Sequence, residues 1–150
     1  MARNPHPGVT ERRILAAAKK LFAEKGYDKT SIQDIIDKLG DLSRGAIYHH
    51  FKSKEAILER LNTDDWHASQ ALCDEIAKRD DMNAMEKLRS LFANSLGDAA
   101  HLALVKATVP FFDDPATFTA NMRFWSTELP KNLDPLIEEG QLDGSIPKIG

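Results

Sequence analysis

Apolar residues recur at the spacing of an α-helix from the first third of the chain onward. One apolar stripe spans residues 14–22, with Thr10 before it as a predicted N-cap and Gly26 after it as a stop signal. A second stripe spans residues 32–39, with isoleucine and leucine at i, i+3, i+4 and i+7, and ends at Gly40. The pattern therefore predicts two amphipathic helices, each ended by a glycine.

Polar residues mark the limits of the next helices. Thr30 and Gln33 are predicted to form a capping box at the start of the second helix. A short third helix is predicted over residues 43–51, and Ser53 is predicted to cap a long fourth helix. The apolar pattern of this fourth helix fades near residues 78–81. The spacing thus predicts a short helix followed closely by a long connecting one.

Helical periodicity continues to the end of the chain. Further helices are predicted over residues 82–96, 99–108 and 115–128, and Pro130 and Pro135 are predicted to interrupt the last of them. No segment alternates apolar and polar residues over the length of a strand. The predicted fold class is all-α.

The composition is that of a soluble globular protein. The chain has 150 residues, of which 42% are hydrophobic and 29% charged. Its longest apolar run is far shorter than a membrane span, and no charged-then-apolar signal segment opens it. Cys73 is the only cysteine, which excludes an intramolecular disulfide framework. These features predict a cytoplasmic protein without a membrane partner.

Charge is distributed unevenly along the chain. Residues 1–60 contain 12 Lys and Arg against 8 Asp and Glu, a net charge of +4. Residues 61–150 contain 8 against 15, a net charge of −7. A basic first part on an acidic remainder suits a nucleic-acid-binding domain joined to a body of another kind. Chance variation in charge along the chain is the alternative.

Residues 30–51 have the pattern of a helix-turn-helix, with two short helices around a glycine-containing turn. In the second of these helices Ile47 and Phe51 are predicted to face inward. The opposite face then carries residues suited to DNA, with Ala46 at its edge: Arg44, Gly45, Tyr48 and His49. Arginine binds guanine or phosphate, the small residues permit close approach, and the rings offer a polar tip.

Lys52, Ser53 and Lys54 stand at the predicted start of the fourth helix. Free backbone N–H groups at a helix start already favour a phosphate, and two lysines add positive charge there. These residues are therefore predicted to contact the DNA backbone, whereas the alternative for each residue taken singly is a solvated surface position.

Two stretches carry a resemblance to a known family. They are Ile14-Leu-Ala-Ala-Ala with Leu21-Phe22-Ala, Gly26-Tyr27 and Thr30-Ser31-Ile32, and then Gly45-Ala-Ile-Tyr-His-His-Phe-Lys-Ser-Lys-Glu-Ala-Ile-Leu58. On these residues, positions 10–60 resemble the DNA-binding domain of the TetR family of bacterial transcriptional regulators. The resemblance implies a ligand-responsive regulator, a repressor more often than an activator, that binds a near-palindromic operator as a homodimer.

The resemblance also implies an organisation and a set of contacts. It implies a flexible arm over residues 1–9, a DNA-binding domain over 10–60, and a helical regulatory domain for ligand binding and dimerisation over 61–150. It implies phosphate contacts for Thr30, Ser31, Tyr48, His50 and Lys54, and it places Arg44, Gly45, Ala46 and His49 nearest the bases.

The chain departs from the family pattern in two places. Asp41-Leu42 makes the turn of the helix-turn-helix one residue longer than usual, which affects the angle of the recognition helix. Family members also continue with two more long helices, so the regulatory domain over residues 61–150 is predicted to be incomplete.

The regulatory domain holds 7 of the 11 aromatic residues. Trp66, Phe92, Met122 and Trp125 are candidates to line a pocket for a small apolar or amphipathic effector. Ordinary core packing is the alternative for each of them.

Nothing in the chain suggests an enzyme, a metal or a cofactor. His67 and Cys73 are six residues apart and lie on different helix faces, and no phosphate-binding loop, nucleophile elbow or HExxH pattern occurs. The alternative function is a helical protein-interaction module that retains the DNA-binding fold without binding DNA productively.

Overall fold

The computed structural model describes residues 7–148, which form helices and the turns between them. The described residues contain no strand, and the predicted all-α class is confirmed. The α-helices are α1 (Pro7–Lys25), α2 (Ile32–Leu39), α3 (Arg44–His50), α4 (Lys54–Ala77), α5 (Ala84–Gly97), α6 (Ala99–Thr108) and α7 (Pro115–Asp143), with a 3₁₀ helix at Val109–Asp113 before α7. None of the helices in the described range is both long and apolar enough to cross a membrane.

The described chain divides into two compact units. The first unit comprises residues 7–65 and Ala99–Ala107, and the second comprises Trp66–Asp98 and residues 108–148. Most of α6 therefore groups with the first unit, although its sequence lies within the predicted regulatory domain. The predicted domain limits at residues 10, 60 and 61 stay a prediction.

The core of the first unit is built from one apolar stripe of each helix. Ile14, Ile35, Ile47 and Ile57 are fully buried and come from α1, α2, α3 and α4. Leu104 and Ala107 of α6 join the same cluster. Because each helix contributes the residues that its periodicity placed on one face, burial in this core orients the opposite face of α3 toward solvent.

The start of α1 differs from the prediction. The helix begins at Pro7, so Thr10 lies inside it and is buried, and the prediction of Thr10 as N-cap was wrong. Proline is well tolerated at the first helical position because its missing N–H has no partner there. Of the predicted arm over residues 1–9, positions 1–6 lie outside the described residues and the last three belong to α1.

The capping box of α2 lies one residue later than predicted. Ser31 is the N-cap, its hydroxyl oxygen accepts the N–H of Asp34, and the Asp34 carboxylate accepts the N–H of Ser31. Thr30 was the wrong choice because its hydroxyl turns inward to a backbone carbonyl. At the other end Gly40 caps the helix with φ 76°, a left-handed conformation that favours glycine.

The turn between α2 and α3 is anchored from outside the helix-turn-helix. Asp41 Oδ1 accepts a hydrogen bond from Nη2 of Arg13 on α1 at 2.7 Å. Ser43 then caps α3 by accepting the N–H of Ala46 at 3.1 Å. This turn is thus held by an ion pair to α1.

In the second unit α7 continues through both prolines, against the prediction that they interrupt it. A proline inside a helix costs about 3 kcal/mol because it removes a backbone bond and crowds the preceding turn. Contacts beyond the prolines offset this cost: Leu136 is buried, and Glu139 accepts a 2.7 Å bond from the buried Lys87 of α5. Asp143 accepts the N–H of Ala84 at the start of α5. Packing against α5 therefore keeps this segment helical.

Candidate nucleic-acid interface

The two faces of α3 have opposite character. Ile47 is fully buried and Phe51 is 6% exposed, which confirms their predicted inward orientation. The exposed face consists of Arg44, Gly45, Tyr48 and His49, with Ala46 and His50 half-buried at its edges. A guanidinium, an imidazole and a phenol therefore project, together with a glycine, from one face of a short helix.

Gly45 lies at the centre of this face without a structural reason inside the protein. A Cβ added at Gly45 would meet only Ser43 Oγ, at 3.9 Å, and the backbone there has no positive φ. Glycine in a helix costs about 1 kcal/mol relative to alanine. The fold alone would therefore accept alanine, and the absence of a side chain leaves room for something outside the protein.

Arg44 is hydrogen-bonded to α2. Its Nη2 donates to Gln33 Oε1 at 3.2 Å, and Gln33 Nε2 donates to Asp37 Oδ1 at 2.8 Å. All three residues are exposed. The sequence pattern predicted Gln33 as a capping residue and missed its hydrogen bonds to Arg44 and Asp37. The i, i+4 spacing of Gln33 and Asp37 was the available signal for the second of these bonds.

Ser31 is exposed, but its hydroxyl is occupied. Ser31 Oγ donates to Asp34 Oδ2 at 2.7 Å, and Lys25 Nζ lies 2.8 Å from the same carboxylate. The hydrogen bond from Lys25, together with those from Ser31, holds the pKa of Asp34 well below its usual range. A phosphate approaching Ser31 would therefore also meet an ionised carboxylate that Lys25 partly neutralises.

Thr30 does not present its side chain to solvent. It is 2% exposed, and its hydroxyl donates to the carbonyl of Gly26 at 2.7 Å. The same oxygen lies 3.4 Å from the carbonyl of Leu21. The implied phosphate contact through this side chain is therefore corrected: burial commits Thr30 to closing the turn between α1 and α2.

Lys54 is tied to the same turn. Its Nζ donates to the carbonyl of Tyr27 at 2.9 Å and lies 4.1 Å from the centroid of the Tyr27 ring, a cation–π arrangement. Burial, and then the negative charge and hydrogen bond of Glu55, raise the pKa of the Tyr27 phenol far above its usual value. The ammonium therefore joins the start of α4 to the turn after α1.

The remaining residues at the start of α4 stay accessible. Lys52 is exposed, and Ser53 is half-buried with its Oγ accepting the N–H of Ala56 at 3.1 Å. Ser53 thus satisfies one of the free N–H groups of the first turn. Lys52 is the accessible cation beside this helix start.

The four candidate effector residues are only partly brought together. The Trp66 and Trp125 rings lie 5.4 Å apart at 83°, and Phe124 joins them with its centroid 5.0 Å from that of Trp66. Phe92 is 56% exposed and Met122 is 43% exposed. Phe124 was not among the candidates taken from the sequence.

A surface groove in the second unit has a different lining. Its walls come from α4, the turn that follows α4, and α5: Leu72, Glu75, Ile76, Arg79, Ser90 and Asn94. It includes none of the four candidate effector residues. The aromatic cluster and this groove are therefore separate features of the second unit.

No group of three or more His, Cys, Asp or Glu side chains within residues 7–148 is arranged to hold a metal ion. Burial, reinforced by the negative charge of Asp74, raises the pKa of the Cys73 thiol, which favours the unreactive protonated form at neutral pH.

Comparison with known proteins agrees with this geometry. Residues 14–61 match the family described as bacterial regulatory proteins, tetR family. The chain is 30% identical to the HTH-type transcriptional repressor KstR2 of Mycolicibacterium smegmatis, over 93% of this chain and 69% of that protein.

Solved structures extend the similarity to the whole described fold. Salmonella enterica GusR aligns with a TM-score of 0.69 and 29% identity over 97% of this chain and 74% of that one. The TetR family transcriptional regulator PfmR of Thermus thermophilus aligns with a TM-score of 0.61 and 30% identity over 92% and 75%. Fold, helix-turn-helix and relatives lead to one conclusion: the chain belongs to the tetR family of bacterial regulatory proteins.

Proposed function

We propose that this protein is a ligand-responsive transcriptional repressor that binds a palindromic DNA operator as a homodimer, with α3 in the major groove. The observation that carries the proposal is the exposed face of α3, where Gly45 stands beside Arg44 without any requirement of the fold. A bare backbone next to an arginine suits close approach to base edges. The relative KstR2 is itself named as a transcriptional repressor.

The proposed contacts fall into two groups. Arg44, Gly45, Ala46 and His49 lie nearest the bases. Tyr48, His50, Ser31, Lys52 and Ser53 contact phosphates, which position the protein on the duplex without carrying sequence information. Lys54 contributes positive charge at the start of α4, and its hydrogen bond to Tyr27 makes its first role the positioning of that helix end.

The proposed effector is a small apolar or amphipathic molecule bound in the second unit. Its support is the cluster of Trp66, Phe124 and Trp125, whose rings remain partly accessible. Planar aromatic walls with exposed edges suit an apolar ligand. Effector binding there would act through α4, since that helix contributes residues to both units.

Dimerisation is supported by exposed apolar side chains on α7. Phe118, Met122 and Leu129 recur at spacings of four and seven residues, and each is more than 40% exposed. A helical stripe of this kind is the usual surface for another helix. In a dimer, the distance between the two copies of α3 fits one spacing of operator half-sites. A change in the distance between these helices therefore lowers the affinity for DNA.

The deciding experiment measures DNA binding by the full chain. Fluorescence anisotropy should show tighter binding to DNA from the region upstream of its own gene than to scrambled DNA of the same length and composition. Affinity for both should fall steeply as salt rises, because phosphate contacts release counterions. Sedimentation should show a dimer. A monomer without preference at any salt concentration would contradict the proposal and favour the protein-interaction module.

A further inference from the structure

We infer that Gln33, braced by Asp37, is a positioning residue for Arg44 and thereby determines how selectively α3 reads its base pair. The inference rests on the proposed function, because it requires Arg44 to contact a base. It concerns a residue on α2, outside the recognition helix.

The three side chains form one directed chain of hydrogen bonds. The Arg44 guanidinium donates to the Gln33 amide oxygen at 3.2 Å, and the Gln33 amide nitrogen donates to the Asp37 carboxylate at 2.8 Å. Turning the amide over would place an NH₂ group against the guanidinium and an oxygen against the carboxylate. Both ends of the chain therefore select the same amide orientation.

The arrangement leaves the reading capacity of Arg44 intact. A guanidinium has five N–H donors, and the bond to Gln33 uses one of them, on Nη2. The remaining donors still include one pair in the fork geometry that matches guanine O6 and N7. Gln33 thus restricts the position of the guanidinium without occupying its recognition edge.

A neutral bridge suits this purpose better than a direct ion pair. Gln33 keeps the Asp37 carboxylate one side chain away from Arg44, so the guanidinium retains its attraction for DNA. Arginine loses much of its rotamer freedom when it is fixed. A side chain restrained before binding loses less on binding, and restraint in one direction favours the base pair that lies in that direction.

The test measures discrimination rather than affinity alone. Wild-type protein first selects a duplex from a random-sequence library, and every base pair is then substituted in turn. Arg44→Ala identifies the base pair that Arg44 reads. At that base pair Gln33→Ala should lower the ratio of affinities for the selected and the substituted duplex about fivefold, the size expected for the net contribution of one ordinary hydrogen bond. Gln70→Ala, on α4 outside the first unit, is the matched control and should leave the ratio unchanged.

A double-mutant cycle separates positioning from a direct role. In an Arg44→Ala background, Gln33→Ala should have no further effect on discrimination at that base pair, since Gln33 acts only through Arg44. The double variant Gln33→Glu with Asp37→Asn keeps the net charge and restores both hydrogen bonds. The introduced carboxylate accepts one bond from Arg44 and one from the amide introduced at position 37. This double variant should restore the ratio of affinities while lowering the affinity for both duplexes, because the introduced carboxylate pairs directly with the guanidinium. Gln33→Glu alone should not restore the ratio.

The outcomes distinguish this inference from the proposed function. If Arg44→Ala changes neither affinity nor discrimination at any base pair, the proposed base contact fails. If Arg44→Ala abolishes discrimination and Gln33→Ala leaves it intact, or acts equally in both backgrounds, the positioning role is overturned. Should Gln33→Ala fold poorly, Asp37→Ala provides the second variant: it leaves Gln33 unbraced and should lower discrimination in the wild-type background alone.

Discussion

Arg13 and Asp41 join α1 to the turn that precedes α3, with Nη2 and Oδ1 2.7 Å apart. The hydrogen bond from Arg13 lowers the pKa of the Asp41 carboxyl and keeps it ionised. Asp41 lies in the segment that joins α2 to α3. The ion pair therefore fixes this turn to α1.

Replacing Arg13 by alanine tests whether the anchored turn matters for DNA binding. Operator affinity should fall about two- to fivefold, because the turn and the start of α3 lose an external restraint of surface ion-pair size. Arg12→Ala is the matched control, since it removes the same charge from the neighbouring exposed position. Equal losses in the two variants, measured by anisotropy titration, would mean that only net charge matters.

Gly45→Ala separates the needs of the fold from those of the binding surface. The substitution should raise stability by about 0.5–1 kcal/mol, because alanine is the better helix former and the new Cβ meets nothing closer than 3.9 Å. DNA affinity should nevertheless fall, because the methyl group occupies the space left for the groove. Thermal unfolding and anisotropy measure the two effects.

The control for Gly45 is Gly97→Ala, at the end of α5, where an added Cβ meets no atom within 4 Å. It should leave DNA binding unchanged. Unaltered DNA binding by Gly45→Ala would remove the main support for α3 as the recognition helix.

Thr30→Val tests the buried hydroxyl. Loss of the bond to the Gly26 carbonyl should cost about 1–3 kcal/mol in the free energy of unfolding, the usual penalty for a buried group left without its partner. Thr30→Ser keeps the hydroxyl and should cost less. DNA affinity at a fixed salt concentration should not change in either variant, and weaker binding by Thr30→Val alone would restore Thr30 as a phosphate contact.

Lys52 and Lys54 offer a pair of substitutions with equal charge loss. Lys52→Ala should weaken binding to all DNA sequences alike and lower the salt slope by about 1, without changing the unfolding temperature. Lys54→Ala should also lower the unfolding temperature, because it removes the hydrogen bond and the cation–π contact to Tyr27. An unchanged unfolding temperature in Lys54→Ala would show that this tie contributes nothing to stability.

Asp34 should make the fold sensitive to acid. Its pKa is lowered from the ordinary value of 3.8 by hydrogen bonds from Lys25 and Ser31. The ionised carboxylate therefore stabilises the folded state at pH values above this ordinary pKa. This stabilisation is lost as the pH falls through the lower pKa of the folded state. The unfolding temperature of Asp34→Asn should fall less than that of wild type between about pH 5 and pH 2, the window in which such a contribution is lost. Asp74→Asn is the control, and identical acid curves for Asp34→Asn and wild type would contradict the linkage.

Patterns local to the sequence determined most of the helices and the faces of α3. Ile47 and Phe51 are four residues apart on an amphipathic helix, so their burial settled which residues face outward. Gly40 and Ser43 marked the turn because each satisfies backbone groups within four residues of itself. Such signals are short-range, which is why they are visible without a fold.

Tertiary structure decided the roles of polar residues that had more than one local option. The sequence allowed Thr30 to cap α2 or to point outward. In the structure its side chain does neither, because it is buried and its hydroxyl donates to the Gly26 carbonyl. Lys54 finds its partner 27 residues earlier in the chain, and Gln33 meets Arg44 from a different helix. Likewise α7 passes Pro130 and Pro135 because α5 packs beyond them. The periodicity of a helix specifies which side chains share a face, but only packing between distant segments specifies which groups those side chains meet.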